Sequence, residues 1–148
     1  MFNIYNLKMD FDIINQKSID FPFSKELNTI FQALNENGNL RIVGGAIRDL
    51  LLDKKIGDID LACTNMPEKT INILESNKIK AIPTGIKHGT ITAIINNKSF
   101  EITTLRKDIN PQGRKSDVEF IDSFLDDARR RDFTINAISI DKKSNLFD

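Results

Sequence analysis

Two carboxylates stand two residues apart in the run Gly57-Asp58-Ile59-Asp60-Leu61. In an extended strand that spacing puts both on one face, with Ile59 turned the other way into a core. Asp58 and Asp60 therefore converge on one hard cation. Magnesium fits, because it prefers oxygen ligands and keeps waters and substrate phosphates in its shell. An Asp-x-Asp alone is a weak signal, but here apolar residues flank it and a Gly-Gly turn and helix precede it. Glu101, on a later strand with Thr103 on its face, becomes a third carboxylate if that strand lies beside the first. Two ions held by Asp58, Asp60 and Glu101 would activate a ribose 3′-hydroxyl and stabilise a leaving pyrophosphate. That chemistry is phosphoryl transfer, which is mostly positioning and charge neutralisation.

The phosphate side of such a site is also present. Gly44-Gly45 opens an apolar helix, and a helix start offers unpaired N–H groups to an anion. Arg48 sits where it reaches a phosphate, and Asp49 where it orients an arginine or lysine; the plainer reading is a solvated surface pair. Arg130 and Arg131, followed by Asp132, bring guanidinium forks that match phosphate oxygens, and Asn136 is placed to bond sugar or phosphate. The competing reading of 129–131 is a helix surface. His88 is the single histidine and lies between Gly85 and Gly89, which reads as a turn with a structural role. Cys63, the one cysteine, reads as a small buried apolar residue and excludes an internal disulfide or a cysteine-rich zinc site.

The elements that must position these groups follow from periodicity. Residues 1–23 lack a clear period and read as a loosely attached arm. Ser24 is an N-cap for a helix carrying Leu27, Ile30, Phe31 and Leu34, ended at Asn37-Gly38. Residues 40–43 form a short buried strand. Gly44-Gly45 then turns into a helix with Ile47, Leu50, Leu51 and Leu52 on its apolar side. Residues 56–63 are the strand bearing the aspartates. Pro67 suits the first turn of a helix with Ile71 and Leu74 inward. Residues 79–82 are a short strand, and 90–95 and 99–104 flank Asn96-Asn97-Lys98 as a hairpin. Residues 106–117 are polar and read as a mobile loop. A strand stub at 118–120 and a helix from Asp122 to Arg129 follow, and 133–140 is ambiguous. Strands mixed with crossover helices make an α/β or α+β domain, a mixed β-sheet with flanking helices.

Bulk properties narrow the class. At 148 residues the chain is one domain, with no internal repeat. Its 21 basic and 21 acidic residues balance, so affinity for RNA must come from local clusters. Heavy use of Ile, Asn and Lys fits a nucleotide-biased genome. There is no tryptophan and one tyrosine, Tyr5, which argues against a large stacking platform. No run of about 18 apolar residues occurs, and the N-terminus lacks a signal-peptide pattern. The expectation is a cytoplasmic protein with no membrane partner.

Five segments in this order resemble the class II nucleotidyltransferases, that is, tRNA CCA-adding enzymes and bacterial poly(A) polymerases of the DNA polymerase β superfamily. They are Val43-Gly44-Gly45-Ala46-Ile47-Arg48-Asp49, Gly57-Asp58-Ile59-Asp60-Leu61, Thr84-Gly85-Ile86-Lys87-His88-Gly89-Thr90, Phe100-Glu101-Ile102-Thr103-Thr104-Leu105-Arg106, and Asp127-Ala128-Arg129-Arg130-Arg131-Asp132-Phe133-Thr134-Ile135-Asn136-Ala137. The resemblance covers roughly residues 25–148 and implies a polymerase β-like head domain at 24–148. It implies that Asp58 and Asp60 bind catalytic Mg2+, that Gly44, Gly45 and Arg48 hold the triphosphate, and that Arg130, Arg131 and Asp132 contact the ribose and phosphates of CTP or ATP. It also implies that 107–117 is the flexible loop used in switching from C to A addition. Family members continue into neck, body and tail domains, and the neck carries the Glu-Asp-x-x-Arg motif that reads the base. Asp126-Asp127-Ala128-Arg129 is superficially similar to that motif but stands in the wrong place for it. The expectation is a catalytic head acting on a tRNA 3′ end, with a separate helical chain supplying neck, body and tail. A poly(A) polymerase head and a non-catalytic nucleotide- or partner-binding relic are the alternatives.

Overall fold

The computed structural model describes residues 19–36, 38–109, 117–131 and 137–147. The expected arm is therefore visible only at its end, and there it is not loose. Phe21 is buried, the rings of Phe21, Phe23 and Phe31 meet edge to face at 5.5 and 5.4 Å, and the Ile19 amide donates to the Ser144 carbonyl at 3.1 Å. Ile19, Phe21 and Phe23 thus pack into the core. Residues 1–18 lie outside the described residues.

Helix α1 (Lys25–Leu34) starts where the Ser24 hydroxyl accepts the Leu27 amide at 3.1 Å. Leu27, Ile30, Phe31 and Leu34, spaced three and four apart, are all buried. Each is worth about 1.5–3 kcal/mol in transfer free energy, which fixes the helix on the sheet. Strand β1 (Leu40–Val43) follows, then α2 (Gly45–Leu51), β2 (Asp60–Cys63) and α3 (Pro67–Ser76), with Pro67 in its first turn. Strands β3 (Lys80–Gly85), β4 (Thr90–Ile95) and β5 (Lys98–Thr104) form a meander, with a 3₁₀ turn at Ile86–His88 between β3 and β4. The β4–β5 turn is the two residues Asn96 and Asn97, at φ 50° and 61°. Two positive φ values make a primed turn, and asparagine tolerates them.

Strands β6 (Arg106–Ile109) and β7 (Asp117–Phe120) pair as a separate antiparallel ribbon. This corrects the reading of 106–117 as a loop: both ends are strand, and 110–116 lie outside the described residues. The ribbon stands off the main sheet, so its polar side chains show no buried face that patterning detects. Helix α4 (Phe124–Arg129) starts on Ser123, whose hydroxyl accepts the Asp126 amide. Strands β8 (Ser139–Ile140) and β9 (Leu146–Phe147) complete the main sheet. Its order is β3-β4-β5-β2-β1-β8-β9, and only the β2–β5 pair is parallel among the pairings.

Alternation splits the sheet residues between two faces. Leu40, Ile42, Leu61, Cys63, Ile91, Phe100 and Ile102 enter the main core with α1, α3 and the start of α2. Val43, Ala62 and Leu105 enter a smaller core with Ile121 and Phe124. The expected apolar side of α2 is shorter than predicted: Ala46 and Ile47 are buried, but Leu51 and Leu52 are about half exposed, past the point where the helix leaves the sheet. Cys63 is buried and its thiol is pushed up by burial, as a packing residue should be.

Candidate active site

The predicted strand at 56–63 is strand only from Asp60 onward. Its partner explains the cut. The last pair of the β1–β2 ladder is Val43 with Asp60, because β1 turns away at Gly44 into α2. Residues 56–59 thus lie beyond the end of β1, and they form no ladder with β5 either, although β5 runs back to Lys98. Asp58 is therefore placed by the approach to the strand rather than by strand alternation.

The other side of β2 supplies the second carboxylate. In the parallel β2–β5 ladder Asp60 is the register partner of Glu101, and the buried pair Leu61–Ile102 follows it. Neighbouring strands lie about 4.8 Å apart, and register partners point to the same face, so Asp60 and Glu101 stand side by side on solvent-exposed sheet surface. Desolvation raises the Asp60 carboxyl, the charges of Glu101 and then Asp58 raise it further, and the charge of Arg131 opposes them. The three carboxylates thus share one field, and Arg131 reaches it. Among the described residues, no group of three or more His, Cys, Asp and Glu stands already closed at metal-ligating spacing. The donor set is nonetheless oxygen only and mutually repelling, which fits a hard divalent cation.

The glycine turn sits at the same end of the sheet. Gly44 holds φ 77°, a left-handed value that glycine adopts without strain, and its amide reaches the Ile138 carbonyl at 3.4 Å. Gly45 opens α2. A Cβ there would lie 3.2 Å from Arg48 Nη2, because the Arg48 guanidinium folds back over the turn. Its Nε and Nη2 donate to Asp49 Oδ1 at 3.2 and 3.1 Å. The residue that Asp49 orients is therefore its own neighbour, and α2 is only seven residues long.

Arg130 and Arg131 follow α4, and both converge on Asp127. Asp127 is 4% exposed. Its Oδ1 accepts Arg130 Nε at 3.2 Å and the Arg106 backbone amide at 2.9 Å. Its Oδ2 accepts Arg131 Nε and Nη2 at 3.3 and 3.0 Å. The signal was present as i,i+3 and i,i+4 spacing on a helix end. Asp132 and Asn136 lie outside the described residues. His88 is exposed in its 3₁₀ turn and contributes its carbonyl, which accepts Arg106 Nη1 at 2.8 Å. Gly89, next to it, is tightly hemmed: a Cβ there would come 2.6 Å from Phe120 Cε1.

A family model for the poly A polymerase head domain matches residues 40–148. The chain belongs to that family. The head-domain match runs from β1 to β9 and leaves α1 and the segment before it outside. Among curated proteins, human "CCA tRNA nucleotidyltransferase 1, mitochondrial" is 46% identical over 125 residues, which is 84% of this chain and 28% of the human protein. Among solved structures, the Bacillus stearothermophilus CCA-adding enzyme in complex with CTP is similar at a TM-score of 0.72 and 37% identity, over 88% of this chain and 30% of that one. A tRNA nucleotidyltransferase complexed with a primer tRNA and an incoming ATP analog gives 0.59 and 27%, over 80% of this chain and 34% of that one. The head domain therefore spans about a third or less of the relatives it matches. Its mixed sheet with flanking helices is the architecture expected from the sequence. No described helix is long and apolar enough to cross a membrane.

Proposed function

We propose that this chain is the catalytic head of a tRNA CCA-adding nucleotidyltransferase. The observation that carries the reading is the pairing of Asp60 with Glu101 beside Asp58, at the end of the sheet where the glycine turn and Arg131 also lie. The relatives' titles name CTP, an ATP analog and tRNA, and CTP, ATP and an RNA 3′ end are the substrates we assign.

The oxygen of an RNA 3′-hydroxyl attacks the α-phosphorus of the nucleotide. A new P–O bond forms, the bond to pyrophosphate breaks, and the hydroxyl proton is lost to water. Asp58, Asp60 and Glu101 would hold Mg2+, which when bound would neutralise phosphate charge and lower the pKa of the attacking hydroxyl. Arg131 and Arg130 turn their remaining N–H groups to the triphosphate. The Gly44-Gly45 turn keeps the backbone free of side chains where the phosphates approach, with Arg48 beside it. Asp132 and Asn136 contact sugar and phosphate in this reading. None of these groups reads a base edge. Base choice and tRNA docking then come from neck, body and tail elements, in our reading on a separate helical chain. The protein works in the cytoplasm in the same reading, whereas the human relative is named as mitochondrial.

Incubation with a tRNA ending before CCA, Mg2+ and radiolabelled CTP or ATP, with and without a candidate helical partner, tests the proposal. Added C and A residues that stop at CCA are expected. An unbounded run of A makes the chain a poly(A) polymerase head, and no incorporation under any pairing makes it a non-catalytic binder.

A further inference from the structure

The two arginines do not hang free into the site. Arg131 meets Asp127 side-on, spending its Nε–H and one Nη2 hydrogen, which leaves both Nη1 hydrogens and one on Nη2 for a ligand. Arg130 spends its Nε–H and keeps four. The side chains of Arg130 and Arg131 are 17% and 20% exposed, against 5% for Asp127. The carboxylate is thus the most deeply buried of the three groups. Asp127 also accepts the Arg106 amide where β6 leaves the sheet, and the Arg106 guanidinium reaches on to the His88 carbonyl. One buried carboxylate therefore fixes the helix end, the two arginines and the root of the ribbon.

We infer that Asp127 is a positioning residue for nucleotide binding: it locks Arg130 and Arg131 in the orientation that receives the triphosphate before any nucleotide arrives. The inference rests on the nucleotidyl-transfer reading of the two arginines. The physical reason is entropy. A free arginine loses rotamer freedom when it is ordered; here that loss is taken in folding, and the ligand meets a preset fork. A second consequence concerns charge. One carboxylate on two guanidiniums leaves the corner net positive, so the corner still attracts phosphate.

The test is nucleoside triphosphate affinity of the full 148-residue chain by calorimetry, with ATP and Mg2+, for the wild type, Asp127→Asn, Arg131→Ala and the double variant. Asp127→Asn keeps the shape and one acceptor but loses the charge. It is expected to weaken ATP about tenfold, with Asp127→Glu recovering part of the loss. In the Arg131→Ala background the same change is expected to cost less than about threefold, because a residue acting through Arg131 is not additive with it. Full additivity would mean a merely structural role and overturn the inference. A wild type that binds no ATP fails the underlying nucleotide reading instead, whereas ATP binding that is sensitive to Arg131 and indifferent to Asp127 fails this inference alone. If Asp127→Asn does not fold, the wild-type chain decides. The Arg130 and Arg131 Nε–H resonances should be protected from solvent exchange before ATP is added, and rapid exchange of both refutes the preset fork.

Discussion

The carboxylate edge and the arginine corner lie close enough for Arg131 to act on Asp60, yet they are built in opposite ways. At the corner, one buried aspartate receives hydrogen bonds from two guanidiniums and a backbone amide. At the edge, Asp60, Glu101 and Asp58 face one another, and their repulsion works against the ionised form of Asp60. The corner has its compensation in the fold. In the proposed function the edge leaves its compensation to a ligand. A site for a metal-bound triphosphate calls for this asymmetry: phosphate is met by a preset hydrogen-bonding fork, and the cation by uncompensated charge.

The largest expected effect comes from removing edge charge. Asp58→Ala or Asp60→Ala should lower nucleotide incorporation by about a thousandfold, close to 4 kcal/mol of transition-state stabilisation. Thermal unfolding of either variant should stay near that of the wild type, because these groups make no core contacts. Activity within about tenfold of wild type would break the metal assignment.

Removing the corner's carboxylate should instead break the fold's own balance. Asp127→Ala strands two half-buried guanidiniums and an amide, and urea unfolding should show a loss of about 3 kcal/mol. Asp49→Ala removes a similar-looking partner from Arg48, but that guanidinium is 43% exposed. The expected loss there is under about 1 kcal/mol. Equal losses at the two sites would erase the distinction between a buried anchor and a surface pair.

The smallest effect has the opposite sign. Asp60→Asn in metal-free buffer should stabilise the protein slightly, by about 1 kcal/mol or less for a group this open to solvent. The Asp60 carboxyl is raised in the folded state, so ionisation costs stability as pH rises through its folded pKa. The gap between variant and wild type should therefore open toward neutral pH and close in acid, where both side chains are uncharged. Thermal unfolding from pH 3 to 8 checks the trend, and a gap that widens in acid would contradict it.

The two regions were also unequally legible in the sequence. Asp60 and Glu101 stand out because apolar residues alternate around them, and the parallel β2–β5 ladder turned that alternation into adjacency. The limit of the strand at Asp60 is not legible in the sequence, since it depends on pairing with β1 and β5 and not on alternation. At the corner, Arg130 and Arg131 were visible as a charge run, but Asp127 looked like one acid among several. Burial, the bond from the Arg106 amide and the two arginine pairs distinguish it from Asp126, whose side chain is 55% exposed. The β7 half of the ribbon is legible as the strand stub at 118–120, whereas the β6 half reads as loop because its side chains are polar and pairing there is carried by backbone. Leu51 and Leu52 were read inward because helical spacing does not say where a helix leaves its sheet.

In the proposed function the edge awaits a cation and the corner does not. Titration of ATP into the wild type, Asp60→Asn and Glu101→Gln, each with and without Mg2+, tests it most directly. Mg2+ should tighten ATP binding to the wild type by about tenfold or more, since a bound cation turns the repulsion between edge and phosphates into attraction. Each variant should lose most of that gain while binding metal-free ATP at least as well as the wild type. A Mg2+ effect of the same size in all three proteins would contradict the account.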